Sequence, residues 1–573
     1  MRKKVLALSL VAIIYLAFSI TGLILYFIPP EPREPLPEGV TLVYGTMYGP
    51  VDLDPQVAWD SASIDAIDQV CEGLFAYNLS DPEMVIIPNL ALSGTWNPTA
   101  TQFTCVLRQN VTFHDGTSFN ADSVIFTWDR MAWALNTTGT NTDGITQVRE
   151  LYEFPNGTPI VKDVIKNGNY GVTFRLNGPF IPFEALLCFS ASYILSPLST
   201  PAMEYINTYT GDIVGTGPFV YDNYASGVNV TFHAFDDYWK GCAQIEKLVF
   251  SIITDANARN AALISGEIDF LSDPLYSVFD VFNNTEGIAI EEGPHSTVTQ
   301  YLGMNNQQIN ITVREAISYA IDYDYIIDVL REDNAVRMES PVPKGIRYTN
   351  CTFDIPVLNL SRARSVMQSM GYGIGWNVTP GSPDEGNWQN STFLTFNYTY
   401  NIASGFREEL MVLLQDNLPK IGIAVEDAGM TWGGFIYRLY EIGGLHRNML
   451  QLYWIGWGPD YNDPSNFINP LFTNRSVASN GAQYNGYQAA IEAGRDPLAL
   501  WDNVQLLMEA GLLESDPVAR EAIYDRIQEL LIEHDRPWAW GYVSKRHAAW
   551  VSNLHGYQQN PMGKEYFYPC YFS

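Results

Sequence analysis

The stretch from Trp454 to Phe467, Trp-Ile-Gly-Trp-Gly-Pro-Asp-Tyr-Asn-Asp-Pro-Ser-Asn-Phe, constrains this chain more than any other. Pro459 and Pro464 forbid an uninterrupted helix or a central strand, and Gly456 and Gly458 let the backbone bend. The resulting turn carries Asp460 and Asp463 among Trp454, Trp457, Tyr461 and Phe467. A carboxylate among ring faces is shielded from water, and an ion pair formed there is strengthened. Such a place suits a cationic group on an apolar body. The same residues also describe a buried turn whose Asp side chains cap backbone amides, and this stretch alone does not choose between the two.

At 573 residues the chain is too long for one ordinary core and divides into about two or three lobes. Hydrophobic residues make up 47%, which places it among globular chains. The formal charge of −31 excludes nucleic-acid recognition by a basic face. Only 17% of residues are charged, so the imbalance reflects scarce Lys and Arg. Polar surface must then come from Asn, Thr, Ser and Tyr.

Met1-Arg2-Lys3-Lys4 precedes an uncharged, mostly apolar run from Val5 to Ile28, long enough to span a bilayer. The basic start stays inside and the bulk goes outside. The expectation is a signal anchor over residues 1–28, with a cleaved signal peptide as the alternative; no clear cleavage site or acylatable Cys follows the run. Residues 29–38 are Pro-rich and charged, which suits a stiff stalk. Asn-x-Ser/Thr sequons at Asn78, Asn110, Asn136, Asn156, Asn229, Asn283, Asn310, Asn350, Asn359, Asn377, Asn390, Asn397 and Asn474 agree with a glycosylated outer face. Cys71, Cys105, Cys188, Cys242, Cys351 and Cys570 are widely spaced with no C-x-x-C pair, so no metal site is expected. In an oxidising exterior they could pair as disulfides; otherwise they are buried thiols.

Along the chain, Val40 to Met47 reads as a strand and Ser61 to Leu74 as a helix with Ser63 as its cap. Phe103 to Leu107 and Val111 to Phe113 read as strands, and Asn120 opens a helix. A hairpin runs from Gly215 to Phe235, and Leu248 to Ile253 is a strand. Tyr301 to Asn305 and Trp538 to Lys545 are strands; Val313 to Ile321, Phe406 to Leu418 and Arg520 to Glu533 are helices.

Ten pieces, in order, resemble the dipeptide/oligopeptide-binding cluster, family 5, of extracytoplasmic solute-binding proteins of peptide-type ABC transporters. They are Leu53-Asp54-Pro55, Glu72-Gly73-Leu74, Ile87 to Ala91, Leu107-Arg108 with Val111 to Gly116, Ala121 to Val124, Gly215 to Phe219, Asp237-Tyr238-Trp239, Ser265 to Asp269, Val313 to Asp322 and Trp457 to Phe467. The resemblance implies an α/β, two-lobed periplasmic-binding-protein-like fold with a hinge and an extra subdomain in lobe I. Lobe I would comprise 39–75, 206–294 and the return 537–573, with the subdomain at 76–205 and lobe II at 295–536. Gly293-Pro294 and Arg536-Pro537 would be the crossings.

In the peptide binders of that family an Asp at the position of Asp460 pairs with the ligand α-ammonium. Trp457 and Trp432 resemble pocket walls, and Ala58, Trp59 and Asp60 resemble the segment that pairs with an extended peptide backbone. Tyr461 is a further aromatic candidate. Oligopeptide binders often carry an Arg at the position of Trp454; here no carboxylate clamp is assigned. The resemblance implies an oligopeptide ligand delivered to the permease subunits of an ABC transporter, with no cofactor. An oligosaccharide held by stacked rings is the alternative, since the chain has 14 Trp and 34 Tyr. A structural cell-surface glycoprotein is a third reading. Catalysis is not expected: G-x-S-x-G, H-E-x-x-H, the P-loop and the dinucleotide fingerprint are absent from the sequence.

Overall fold

The structure, a computed structural model, describes residues 39–142, 148–402, 404–440, 449–474 and 480–573. The expected anchor at 1–28 and stalk at 29–38 lie outside the described residues. Among those described, no helix is long and apolar enough to cross a membrane.

Eleven strands form one large sheet: β1 (Thr41–Thr46), β2 (Phe219–Ala225), β3 (Asn229–Ala234), β4 (Lys247–Ile252), β5 (Phe270–Ser272), β6 (Ile288–Met304), β7 (Ala335–Arg337), β8 (Leu394–Asn401), β9 (Ile423–Met430), β10 (Leu452–Trp457) and β11 (Trp538–Val551). Their order is β9-β8-β10-β6-β11-β5-β1-β4-β3-β2, with β7 on β11. β1 is parallel to β4 and β5, and β8 is parallel to β9 and β10. The long strands β6 and β11 run antiparallel through the middle. Register shifts at Glu292/His295, His295/Thr299 and Gln300/Tyr301 bend them. Separate cores lie to either side. Leu42, Ile67, Phe232, Phe250 and Phe270 fill one; Leu302, Ile317, Tyr398, Leu414, Leu452 and Trp454 fill the other. The fold is therefore α/β and two-lobed.

A smaller antiparallel sheet combines Ala91–Trp96, Gln102–Leu107, Gly171–Leu176 and Val161–Lys166. In Gln102–Leu107 every second residue is buried, so one face meets the helix Ala121–Ala134 through Trp128, Phe174 and Phe183. This core continues into Phe467, Leu471, Leu507 and Leu512 of the second lobe, and Ile181 N–H donates to Leu512 O at 3.0 Å.

Several family-like pieces converge on one buried carboxylate. Glu72 accepts from Thr216 Oγ1 (2.9 Å), Tyr238 O–H (2.9 Å), Trp239 Nε1 (2.8 Å) and Asn89 Nδ2 (3.4 Å), with Lys240 Nζ at 3.4 Å. Arg108 stacks over Trp239 at 4.1 Å. A Cβ on Gly217 would lie 2.7 Å from the Val70 carbonyl, and one on Gly215 only 2.2 Å from its oxygen, so both positions need glycine. His114 Nε2 donates to Gly217 O at 2.9 Å, and burial pushes the imidazole down to about 4.

Three local expectations change. Asp60, not Ser63, caps the first helix, which ends at Val70; Ser63 Oγ instead accepts from Val51 and Asp52 N–H. Val111 to Phe113 forms only the isolated bridge Thr112–Ser118. The strand at Tyr301 is the end of the much longer β6, hidden because Glu291, Glu292 and His295 break its apolar pattern. Of the two readings of the cysteines, the structure has the thiols: no disulfide joins any of the six.

Candidate functional site

β10 delivers the acidic turn. Side chains alternate faces along a strand, so Trp454 and Trp457, an odd number apart, diverge. Trp454 enters the second core, 1% exposed, stacked on Tyr542 at 5.9 Å and edge-on to Phe406 at 5.5 Å. Its Nε1 donates to Gln300 Oε1 at 3.1 Å. Trp454, a ligand-binding candidate from its place among the rings around the acids, is therefore a core residue. Tyr461 is also placed in the core, 3% exposed, its hydroxyl 3.2 Å from Ser465 Oγ.

Trp457 ends the strand half-buried. Its Nε1 is buried without a hydrogen-bond partner, and its ring meets Trp59 at 5.8 Å and 85°. Trp59 stands just before the helix Ser61–Val70, and its Nε1 donates to Asp460 Oδ1 at 2.6 Å. Asn466 Nδ2 donates to Asp460 Oδ2 at 2.8 Å, and Asn466 Oδ1 accepts the Asp460 N–H at 2.9 Å. Asp460 is 9% exposed. Burial pushes its carboxyl up to about 6, against the lowering effect of the Asn466 and Trp59 bonds. Among the described residues no cationic side chain contacts it.

Asp463 is different. Its Oδ1 accepts the Ser465 N–H at 2.9 Å and caps the helix Pro464–Phe472. Arg520 grips both of its oxygens, each at 2.8 Å. Two acids three residues apart thus have separate tasks: Asp463 with Arg520 anchors the turn, and Asp460 faces Trp59. Asn462 N–H, between them, donates to the Tyr77 hydroxyl oxygen at 2.8 Å.

Ala58, Trp59 and Asp60 do not lie in a strand. Ala58 is buried with its N–H bonded to Asp54 O, and Asp60 is engaged as the helix cap through Ser63 N–H at 3.0 Å. Trp432 opens the helix Trp432–Tyr440, but its side chain lies outside the described residues.

Two cations escaped the sequence reading. Arg407, in the first turn of the helix Gly405–Asn417, donates to Asn401 Oδ1 and lies over Phe435. Burial opposes its charge, while Tyr398, Tyr542 and the first-lobe Tyr48 favour it. The Tyr398 hydroxyl is buried without a partner. Arg331 sits among the rings of Tyr276, Tyr542 and Phe406 and donates to the Tyr276 hydroxyl of the first lobe. In sequence, Phe406-Arg407 is indistinguishable from any amphipathic helix start. Three prospective metal ligands come together among the described residues only at Glu529, Glu533 and His534, away from this turn, and Arg526 already pairs with Glu529 at 2.8 Å.

Residues 85–479 match the family described as bacterial extracellular solute-binding proteins, family 5 Middle. The chain belongs to that family. Similar relatives include heme-binding protein A of Haemophilus influenzae, 25% identical over 92% of this chain and 91% of its own. The dipeptide-binding protein of Escherichia coli is 25% identical over 92% and 94%. Among solved structures, the periplasmic binding protein DppA of Helicobacter pylori in complex with the peptide STSA superposes with a TM-score of 0.77 at 23% identity, covering 93% of this chain and 98% of its own. AppA of Bacillus subtilis with a nonapeptide gives 0.74 at 20% identity, covering 94% and 100%. This family 5 protein is thus an extracytoplasmic solute-binding protein, a class defined by capture and not by catalysis.

Proposed function

We propose that this protein captures peptides through their free amino terminus and hands them to the permease of an ABC importer. The observation that carries the reading is Asp460: a carboxylate enclosed between two lobes, hydrogen-bonded on both oxygens and contacted by no cation of the described residues. Burying that charge costs several kcal/mol unless a counter-charge arrives, and a ligand ammonium supplies it. Trp59 and Trp457 exclude water around the pair, and the unpartnered Trp457 N–H offers a donor to a ligand carbonyl.

Arg407 is the group proposed to meet a ligand carboxylate, in the role that Trp454 cannot fill. The oligopeptide reading stays first, with shorter peptides favoured if one ligand spans both Asp460 and Arg407. With Trp454 and Tyr461 in the core, two rings that an oligosaccharide would stack on are spent, which supports peptides over sugars. The proposed lobe limits stand at 39–75, 206–294 and 537–573 against 295–536, with 76–205 as the subdomain. Residues 1–28 and 29–38 are proposed to tether the protein outside the membrane. Of the sequons, Asn110, Asn156, Asn283, Asn310, Asn359, Asn377, Asn390 and Asn474 are exposed and are the better glycan acceptors.

Calorimetric titration of peptides against their N-acetyl forms tests the proposal. The free amine is expected to bind and the acetylated form to lose at least about 2 kcal/mol. Equal affinity would end it.

A further inference from the structure

We propose that Trp59 is a positioning residue for amine selection: its indole N–H, reaching across from the first lobe, orients the Asp460 carboxylate toward the ligand, so that lobe closure and amine recognition become one event. The inference rests on the peptide reading for its ligand.

The geometry argues it directly. On the proposed lobe limits Trp59 and Asp460 belong to opposite lobes, and a 2.6 Å bond joins them. Indole nitrogen donates and never accepts. Trp59 therefore cannot compete for the ammonium; it occupies one lone pair of Oδ1 and leaves the others for a further donor. Asn466 does the same on Oδ2 from within the turn. A carboxylate has about four lone-pair sites, so two fixed donors leave room for an ammonium. The edge-on contact with Trp457 fixes the tilt of the Trp59 ring, and Asp60 pins its neighbouring backbone to the helix Ser61–Val70. The other polar groups around Asp460 do not substitute. The Tyr152 hydroxyl is engaged with Ser192 (2.7 Å) and that of Tyr461 with Ser465, and Asp463 is neutralised by Arg520.

A packing role alone would need only the ring. The N–H adds a link between lobe position and the ionisation of Asp460, because it favours the charged carboxylate that an ammonium requires. Trp59→Phe keeps an aromatic side chain, smaller than indole, and removes the link.

Two measurements test this. In the first, without ligand, indole ¹⁵N–¹H spectra of the full protein are followed from pH 5 to 7.5. The Trp59 signal, identified by its loss in Trp59→Phe, is expected to move with a midpoint near 6 and to stand still in Asp460→Asn. A Trp59 signal that never moves in the native protein overturns the inference. In the second, a tryptic digest of casein and the same digest N-acetylated are compared by thermal shift at several pH values. The free digest is expected to stabilise the native protein. Trp59→Phe is expected to weaken that response roughly tenfold in effective affinity at pH 7 and to move its pH midpoint upward, whereas a purely structural loss would be uniform in pH. If the free digest alone stabilises but Trp59→Phe keeps the native pH profile, the role of Trp59 falls while the peptide reading stands. If both digests act equally, or neither acts, the peptide reading falls and amine selection with it, even where the indole signal titrates.

Discussion

Replacing Asp460 by Asn is expected to make the unliganded protein more stable at neutral pH while destroying its binding. The carboxyl ionises near 6 in the fold and near 3.8 when solvated. Below about 3.8 both states hold the proton, and the group does not affect stability. As pH rises, the unfolded chain releases its proton first, so stability falls between about 4 and 6. Above 6 the full penalty of about 3 kcal/mol is present. Asn removes it. The Asn oxygen can still accept from Trp59, but its amide then faces the Asn466 amide, donor against donor. Turning Asn466 over would sacrifice the bond it accepts from the residue 460 N–H. That loss is about 1 kcal/mol. The variant should therefore gain about 2 kcal/mol at pH 7.5 and lose about 1 kcal/mol near pH 4. Thermal melts across that range would show a rise of about 1–2 °C at the upper end and a smaller fall at the lower. A variant destabilised equally at both ends would refute the argument, because it would mean that the ionised carboxylate is already compensated within the protein.

Other consequences follow from the same contacts. Arg520→Met leaves Asp463 buried without its cation and should cost about 3–5 kcal/mol, read as a large fall in melting temperature that Asp463→Asn in the same chain partly restores. Arg407→Ala should weaken peptides with a free carboxylate by roughly tenfold or more and leave their C-terminal amides unchanged; equal losses by calorimetry would remove Arg407 from the site. Thiol titration of protein unfolded without reductant should find six thiols, and in the folded protein only the half-exposed Cys242 and Cys351 should react readily.

The elements were legible wherever a cap or a strict period marked them. Asn120 before Ala121–Ala134 is such a case, its side chain accepting the Asp122 N–H. The alternation of Gln102–Leu107 is another. The misses share a cause. β6 is long, bent and polar in its middle, where it passes between lobes, so no single period runs through it. Ser63 looked like a cap because Ser is a good one, but Asp60 stands one turn earlier and does the work. Arg407 carried no signal at all, since its environment is assembled from Tyr398, Tyr542, Phe435 and Tyr48, none of them near it in sequence except through the fold.

This contrast explains why family and ligand separate so cleanly in such a chain. The pieces that betray the family are those locked into buried networks: Glu72 with Asn89, Thr216, Tyr238 and Trp239; Asp54 with Arg130; Asp463 with Arg520. Each of those residues satisfies several partners at once, and a change in one strands a buried polar group, so together they write a recognisable pattern. Trp59 is tied to fewer partners. Its ring is half-exposed and its N–H meets only Asp460 in this structure. A different side chain there would leave every one of those networks intact and, on the proposed function, would change which solute is accepted. The residues that make the fold readable are therefore the ones least able to choose a ligand, and on the proposed function that choice falls to Asp460, which supplies the charge, and Trp59, which presents it.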